Sequence, residues 1–502
     1  MLPKTEVSKH PLFSLENLYQ AYRKCRRHKR NTHNAMIFEQ NLEENLVSLH
    51  EELDSGSYRP GRSLCFLVEK PKLREIFAAD FRDRVVHHVL VGHLEPQWER
   101  RFIHDSYACR RGKGTHKGVE RLRSFTRKAT ANGTKMAWYL QLDVKGYFIN
   151  LDRNILCQRL KAHEKDPTIL WLIRVILFTE VTENCRFRKA SRQDFECLPE
   201  HKTLFKASPG CGLPIGNLTS QFFANVYLDA LDQFAKHQLK ARFYLRYCDD
   251  FVLLSESREE LAEWERRIEA FLSAHLSLRL NERRKLRPVS DGIDFLGYIV
   301  RPDYLLVRGR VVDALRWRLR QTEDDLIRLG MKNFPAGRMV YPWPWILLER
   351  MRQCLNSYLA HFGKASCYRL IRKIRERFFW LEEYFQWQKG KVAYRCPIPS
   401  RSIRFVNQKS WFKRHLPGHV LLIRQGGFWE FDAESAAIGE VAKNEALAAI
   451  KSWPRRFPDR RLPYLKPLLW DSGLLVGWVG ETGRRLSNIA ERALICRWES
   501  TN

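Results

Sequence analysis

The stretch Phe243-Tyr-Leu-Arg-Tyr-Cys-Asp-Asp-Phe-Val-Leu-Leu-Ser-Glu256 sets two adjacent carboxylates, Asp249 and Asp250, between two short apolar runs of β-forming residues. Two such runs joined at a polar pair read as a hairpin with the carboxylates at its turn. Apolar strands of this kind are buried. Neighbouring carboxylates between them repel and lose hydration, a cost that a bound cation removes. The competing reading is an ordinary polar turn, since Asp is a common turn residue. The rest of the chain decides between them.

The chain has 502 residues, enough for two to four domains with sizeable cores. Hydrophobic residues make up 44% of it and Trp occurs 15 times, which excludes a mainly disordered protein. Lys and Arg number 87 against 57 Asp and Glu, a net charge of +30 that points to a polyanionic partner. No apolar run approaches the ~20 residues that span a bilayer, and the N-terminus lacks the pattern of a signal peptide. The expectation is a nucleic-acid-binding protein of the cytoplasm, without a membrane partner. The 12 cysteines are scattered with no Cys-x-x-Cys pair, which predicts reduced thiols and neither a zinc ribbon nor a disulfide framework.

A second carboxylate position lies upstream. In Met136-Ala-Trp-Tyr-Leu-Gln-Leu-Asp143-Val-Lys-Gly-Tyr-Phe148, Asp143 ends an apolar β run, where sheets display functional groups. Between Asp143 and the hairpin, Gly210 to Asp232 reads as a Gly-Pro-Gly loop followed by an apolar-faced helix, with Asn217, Thr219 and Ser220 as candidate N-caps. Nearer the N-terminus, a basic helical region contains the cluster Arg23 to Arg30, and a second helix is expected over Ala35 to Leu53. Leu64 to Phe77 reads as a strand hairpin carrying Lys72 and Arg74, cations suited to a triphosphate. His87 and His88 read as packing or phosphate contacts. The loop Ser106 to Gly118 joins cations to three glycines without Walker spacing. Residues 310–390 read as helical and basic, with Trp and Phe interleaved among arginines, a pattern suited to gripping nucleic acid or to core packing. The whole is an α+β organisation with an antiparallel sheet and three aspartates at strand ends. Three carboxylates on a basic protein without a Cys or His ligand set suit a two-Mg²⁺ phosphoryl-transfer site, with Mn²⁺ as a substitute.

Residues 60–385 resemble reverse transcriptases. Tyr247-Cys-Asp-Asp250 matches the Y-x-D-D signature, Asp143 to Phe148 the strand with the first metal aspartate, and Gly212-Leu-Pro-Ile-Gly-Asn217 the loop that packs on template and nucleotide. Gly292-Ile-Asp-Phe-Leu-Gly-Tyr298 resembles the primer grip, with Phe295, Leu296 and Gly297 at its centre. The resemblance implies a right-hand polymerase with fingers, an antiparallel palm sheet and a helical thumb. It implies that Asp143, Asp249 and the Val144 carbonyl bind metal and that Asp250 completes the acidic cluster. It further implies that Lys72, Arg74 and Arg110 hold the incoming triphosphate, that Phe148 blocks a ribose 2′-hydroxyl, and that Lys285 is a candidate proton donor to pyrophosphate. Template RNA, a cDNA or primer strand and dNTPs are the implied partners.

Intron-type enzymes usually carry Gln-Gly-x-x-x-Ser-Pro in the packing loop, whereas this chain has Ile215-Gly216-Asn-Leu-Thr-Ser220-Gln221. That form is similar to the reverse transcriptases of diversity-generating retroelements, which copy a template repeat with errors at adenines and imply a small basic accessory variability-determinant protein. Replacing Gln by Ile beside the nascent base pair removes hydrogen-bonding capacity there, so geometry is policed less strictly. Defence-associated and group II intron-like reverse transcriptases remain the alternatives within the enzyme class. A non-catalytic nucleic-acid-binding scaffold is the alternative outside it.

The last hundred residues alternate strand and helix. Gly427-Phe428-Trp-Glu430 and the later Gly477-Trp-Val-Gly-Glu-Thr-Gly resemble the N-terminal mismatch-recognition domain of the MutS repair family. The resemblance implies that Phe428 wedges into a mispair and Glu430 bonds its base. A buried strand aromatic is the competing reading. The expected division is a basic helical region over 1–60, fingers and palm over 61–305, thumb over 306–387, linker over 388–410 and a small α/β domain over 411–502.

Overall fold

The computed structural model describes residues 10–27, 29, 32–69, 72–329, 332–334, 338–342, 344–394, 405–432, 454–471, 475–486 and 489–500. The chain forms two compact units, residues 1–296 with 300–303, and residues 297–299 with 304–502.

In the first unit the basic N-terminal helix Leu15–Arg26 is capped by the Ser14 hydroxyl, which accepts from Asn17 N–H. Its apolar stripe, Leu18, Ala21, Tyr22 and Cys25, is buried with the helix Phe81–Glu99, so its cations are left outward. The single helix expected over 35–53 is two, His33–Gln40 and Leu42–Asp54. Asn41 breaks it at φ −125°, and the Asn45 side chain satisfies the freed Phe38 carbonyl at 3.0 Å.

The centre of this unit is a four-stranded antiparallel sheet in the order Phe243–Tyr247, Asp250–Ser255, Trp138–Asp143, Lys285–Pro288. Phe251, Val252, Leu253 and Leu254 are all buried. Successive strand residues face opposite sides, so both faces of the strand are covered. Helices Thr115–Ala129 and Arg258–Leu276 pack on it. A separate sheet pairs Ser63–Val68 antiparallel with Arg74–Ala78 and parallel with Cys185–Phe187. Beneath it Cys65, Phe77, Ile149, Phe195, Leu198 and Leu204 form a second core.

The second unit contains the helices Gly309–Arg328, Trp345–Phe362 and Tyr368–Arg377, whose buried residues include Leu319, Leu355 and Phe362. Strands interrupt the stretch expected to be helical. Lys332–Phe334 and Arg338–Pro342 form a hairpin, and Arg338–Pro342 pairs with Ile489–Ser500. The result is a seven-stranded sheet continuing through Val476–Leu486, Val420–Gln425, Phe428–Asp432 and Arg456–Pro458. On Val420–Gln425, Leu421 and Ile423 join the core of the helices while Val420 and Leu422 face a second cluster with Trp429, Phe457, Leu465 and Trp478.

The stretch 411–502 therefore shares a sheet and a core with the helices before it, rather than folding as a module behind a linker. Local periodicity cannot reveal a strand whose partner lies about 150 residues away. The stretch 388–410, read as a linker, contains the strand Lys391–Tyr394 and the start of the helix Phe405–His415; residues 395–404 lie outside the described residues. The described cysteines, Cys25 to Cys367, are free thiols. Among the described residues no helix is long and apolar enough to cross a membrane.

Candidate active site

The hairpin turn sits one residue earlier than the carboxylate pair suggested. Tyr247 pairs with Asp250, leaving Cys248 and Asp249 as a two-residue turn. Cys248 has φ 57°, a backbone region that such loops usually fill with glycine. Strain of this kind, about 1–3 kcal/mol, persists where surroundings over-determine it. Here the clamp is Arg246. Its Nη1 donates to the Cys248 carbonyl at 2.9 Å, while Nε and Nη2 donate to Asp232 at 2.8 and 2.7 Å. Tyr244 Oη adds a bond to Asp232 at 2.7 Å, and Ser106 Oγ accepts from Arg246 at 3.1 Å. Arg246 and Asp232 are both fully buried. Burial works against the charged guanidinium, and Asp232 more than reverses that, raising Arg246 above its ordinary value. No sequence motif marks this pair. The available signal was a lone arginine inside an apolar strand.

Asp143 ends its strand directly opposite Asp250. Its carbonyl accepts from Asn281 N–H at 2.7 Å, and its carboxylate accepts from Asn281 Nδ2 at 3.3 Å. Val144 N–H donates to the Asp249 carbonyl at 3.3 Å, which ties the two loops together. Burial, then the neighbouring Asp249 carboxylate, push Asp143 up to about 6; Asn281 and Lys72 pull the other way. Burial likewise pushes Asp250 up to about 7, with Asp143 and Asp249 adding to the rise and a hydrogen bond from Gln141 Nε2 at 3.2 Å and Lys285 opposing it. Gln141 Nε2 also reaches the Asp294 carbonyl at 3.1 Å, linking this acid to the segment around Phe295 and Leu296.

The three aspartates expected to converge lie close enough to act on one another electrostatically. Among the described residues no group of three or more His, Cys, Asp or Glu side chains could hold a metal ion. Asp143 abuts the Cys248–Asp249 turn, and Asp250, on which both of these carboxylates act, also accepts from Gln141 on the neighbouring strand. A partly buried carboxylate whose proton affinity is raised by burial and by a neighbouring carboxylate fits a hard divalent cation, whose charge relieves both costs.

The other expected residues divide. Lys72 lies close enough to Asp143 to lower its pKa, and Arg74 is exposed at the start of its strand. Arg110 is corrected: its guanidinium is bound by Glu99 at 2.8 Å and by the carbonyls of Ile103 and Ser106, so it braces a loop instead of facing a triphosphate. Phe148 is half-buried beside Tyr147, whose hydroxyl donates to the Ala224 carbonyl.

The packing loop is docked on the strand Arg74–Ala78. The Ile215 carbonyl accepts from Phe77 N–H at 2.8 Å. Asn217 stands at the N-cap of the helix Leu218–Gln233 as expected, but its side chain makes no cap bond and accepts from Ala79 N–H at 3.1 Å. At Gly216, φ 126°, a Cβ would meet the Phe77 carbonyl oxygen at 2.8 Å, so only glycine fits. Gln221 is exposed on the first turn of the helix Leu218–Gln233. In the primer-grip segment Phe295 is buried, Leu296 has φ 50° and Gly297 φ 92°. Lys285 is in register with Gln141.

In the second unit Phe428 is 45% exposed with the Arg456 guanidinium over its ring, and Trp429 beside it is buried. Glu430 is paired with Lys409.

Residues 68–300 match the family described as reverse transcriptase (RNA-dependent DNA polymerase). This chain carries a reverse transcriptase domain. That domain is an RNA-directed DNA polymerase, a nucleotidyltransferase, and the family implies an RNA template and a nucleic-acid primer. Protein YkfC of Escherichia coli (strain K12) is 24% identical over 300 residues, covering 53% of this chain and 73% of that protein. Group II intron-encoded protein LtrA of Lactococcus lactis subsp. cremoris is 25% identical over 253 residues, 49% of this chain and 38% of LtrA. Nuclear intron maturase 1, mitochondrial, of Arabidopsis thaliana is 32% identical over 109 residues, 21% of this chain and 14% of the maturase. The chain thus spans well under half of the intron-encoded relatives. Among solved structures, an apo telomerase from Candida Tropicalis truncated from its C-terminal domain aligns at a TM-score of 0.34 and 12% identity, over 49% of this chain and 55% of that one.

Proposed function

We propose that the protein makes cDNA on a template RNA at the Asp143–Asp249 pair. The first unit carries fingers and palm, and the helices of the second unit carry the thumb. The observation behind this reading is the abutment of the Asp143 strand end and the Cys248–Asp249 turn, where burial and the Asp249 carboxylate raise Asp143 against the pull of Lys72. Asp143, Asp249 and the Val144 carbonyl would hold Mg²⁺, which supplies activation of the attacking 3′-hydroxyl and charge for the leaving pyrophosphate. Lys72 and Arg74 neutralise the incoming triphosphate, and Phe148 excludes a ribose 2′-hydroxyl. Lys285, whose charge acts on Asp250, would give a proton to pyrophosphate. Primer extension on an RNA template, with Asp143→Asn as control, tests this reading: activity in the wild type and none in the variant supports it.

Within that activity the reading is of an error-prone, retroelement-type enzyme acting in the cytoplasm with a small basic accessory protein. Ile215 and Gln221, in place of Gln and Pro, support it. The intron-encoded names of several relatives favour a group II intron-like enzyme instead. Sequencing the cDNA separates the two: misincorporation concentrated at template adenines supports the retroelement reading, and an even, low error spectrum supports the intron-like one. Exposed Phe428 beside buried Trp429 supports a mispair-reading role for the C-terminal sheet. Equal affinity for paired and mispaired duplex would remove it.

A further inference from the structure

Between the Asp143 strand and the packing loop runs the segment 179–208, which the polymerase reading leaves without a role. It is clamped to the strand Arg74–Ala78 through Glu75, a carboxylate that is buried to 3% exposure in a strand otherwise meeting apolar residues. Both its oxygens are used: Thr203 Oγ donates to one at 2.6 Å and Leu204 N–H to the other at 2.9 Å. Below the clamp, Phe195, Leu198 and Leu204 are buried with Phe77, and Phe205 lies 5.9 Å from the Phe77 ring. Lys206 Nζ donates back to the Leu198 carbonyl at 3.0 Å, closing the segment on itself.

The clamp fixes what immediately precedes it. His201 and Lys202 lie two residues and one residue before Thr203, and both are exposed. His201 lies against Gly146: a Cβ added to that glycine would come within 3.3 Å of His201 Cβ and 3.6 Å of its Cα. Gly146, at φ 56°, opens the corner that carries Tyr147 and Phe148, three residues after Asp143. One side of the segment is thus bound next to Arg74, and the other rests on the corner next to Phe148.

We infer that His201 and Lys202 form an additional wall of the incoming-nucleotide site, with Lys202 supplying a cation to the polyphosphate and His201 acting as a positioning residue that holds the Gly146–Phe148 corner. The inference rests on the polymerase reading of that site. Its chemistry is simple: a triphosphate carries more negative charge than Lys72 and Arg74 neutralise, and a third cation on a fixed segment lowers the cost of bringing it beside two carboxylates. The buried Glu75 anchor makes the segment a fixed element despite its lack of long secondary structure, so ordering Lys202 costs little at binding.

Steady-state primer extension by the full-length protein tests this, with dNTP concentration varied. Lys202→Ala is expected to raise KM for dNTP about threefold to tenfold, more than it lowers kcat, and Lys202→Arg to restore most of it. His201→Ala is expected to raise the acceptance of ribonucleotides relative to deoxyribonucleotides. Arg186→Ala, an exposed cation on the same segment, serves as the control with unchanged kinetics. Thermal melting of each variant checks folding; both targets are exposed, so Tm is expected to hold. An active wild type whose KM for dNTP and sugar selectivity are the same in Lys202→Ala and His201→Ala overturns the inference and leaves the polymerase reading standing. A wild type that extends no primer overturns the reading itself.

Discussion

At the scale of residues, the site is defined by carboxylates held protonated-leaning by burial. Asp143 at about 6 and Asp250 at about 7 lie above their unfolded values, so the folded protein binds more protons than the unfolded chain between pH 4 and 7. Their stabilising contribution is therefore present at low pH and is lost as pH rises through about 6 to 7. Asp250→Asn is accordingly expected to raise Tm of the metal-free protein at pH 8, by ~2–4 °C for each kcal/mol regained, and to change it little at pH 5. Differential scanning fluorimetry at the two pH values checks this, and an equal gain at both would contradict the assignment of cause. Added Mg²⁺ is expected to raise wild-type Tm at pH 8 and far less in Asp143→Asn. Asp143, Asp249 and Asp250 could be singled out in the sequence because Tyr-x-Asp-Asp and a strand-ending Asp are local patterns. The Arg246–Asp232 clamp beneath them was not, since it is a tertiary pairing of residues fourteen apart on different elements. Removing it by Arg246→Ala leaves Asp232 buried without its partner and is expected to cost ~3–5 kcal/mol, read by chemical denaturation.

At the scale of elements, the packing loop is the part whose sequence and structure agree most closely and explain each other. Gly216 sits against the Phe77 carbonyl because the loop must hydrogen-bond the strand that carries Arg74. Gly216→Ala therefore strains both φ and contact, and is expected to destabilise by ~1–3 kcal/mol and to depress primer extension more than Tm. Ile215→Gln keeps the backbone bond through Phe77 N–H and restores a side-chain hydrogen-bonding group. It is expected to lower misincorporation at template adenines; an unchanged error spectrum would contradict the loop's role in fidelity. Here the sequence was readable to the residue in its glycine and in Asn217 as the N-cap residue, whose side chain nevertheless serves the neighbouring strand and not its own helix. Arg110 was misread for a related reason: a cation in a glycine-rich loop is as well suited to bind Glu99 as a phosphate. Sequence spacing alone does not distinguish the two.

At the scale of the whole molecule, charge and topology carry different information. A net charge of +30 was readable at once and predicts binding to RNA whose affinity falls steeply as salt rises. Filter binding between low and physiological salt is expected to show that slope for wild type and for Asp249→Asn alike, because the role proposed for the aspartate is in catalysis and not in backbone contact. The seven-stranded sheet of the second unit was not readable as such, since its strand Arg338–Pro342 finds its partner in Ile489–Ser500 across a helical stretch. The proposed chemistry lies in the first unit, at its two abutting loops. The most direct measurement is single-nucleotide extension of a DNA primer on an RNA template with Mg²⁺, comparing wild type with Asp249→Asn at matched folding. The account predicts extension by the wild type and a loss of about a thousandfold or more in the variant; extension at comparable rates by both proteins would contradict it.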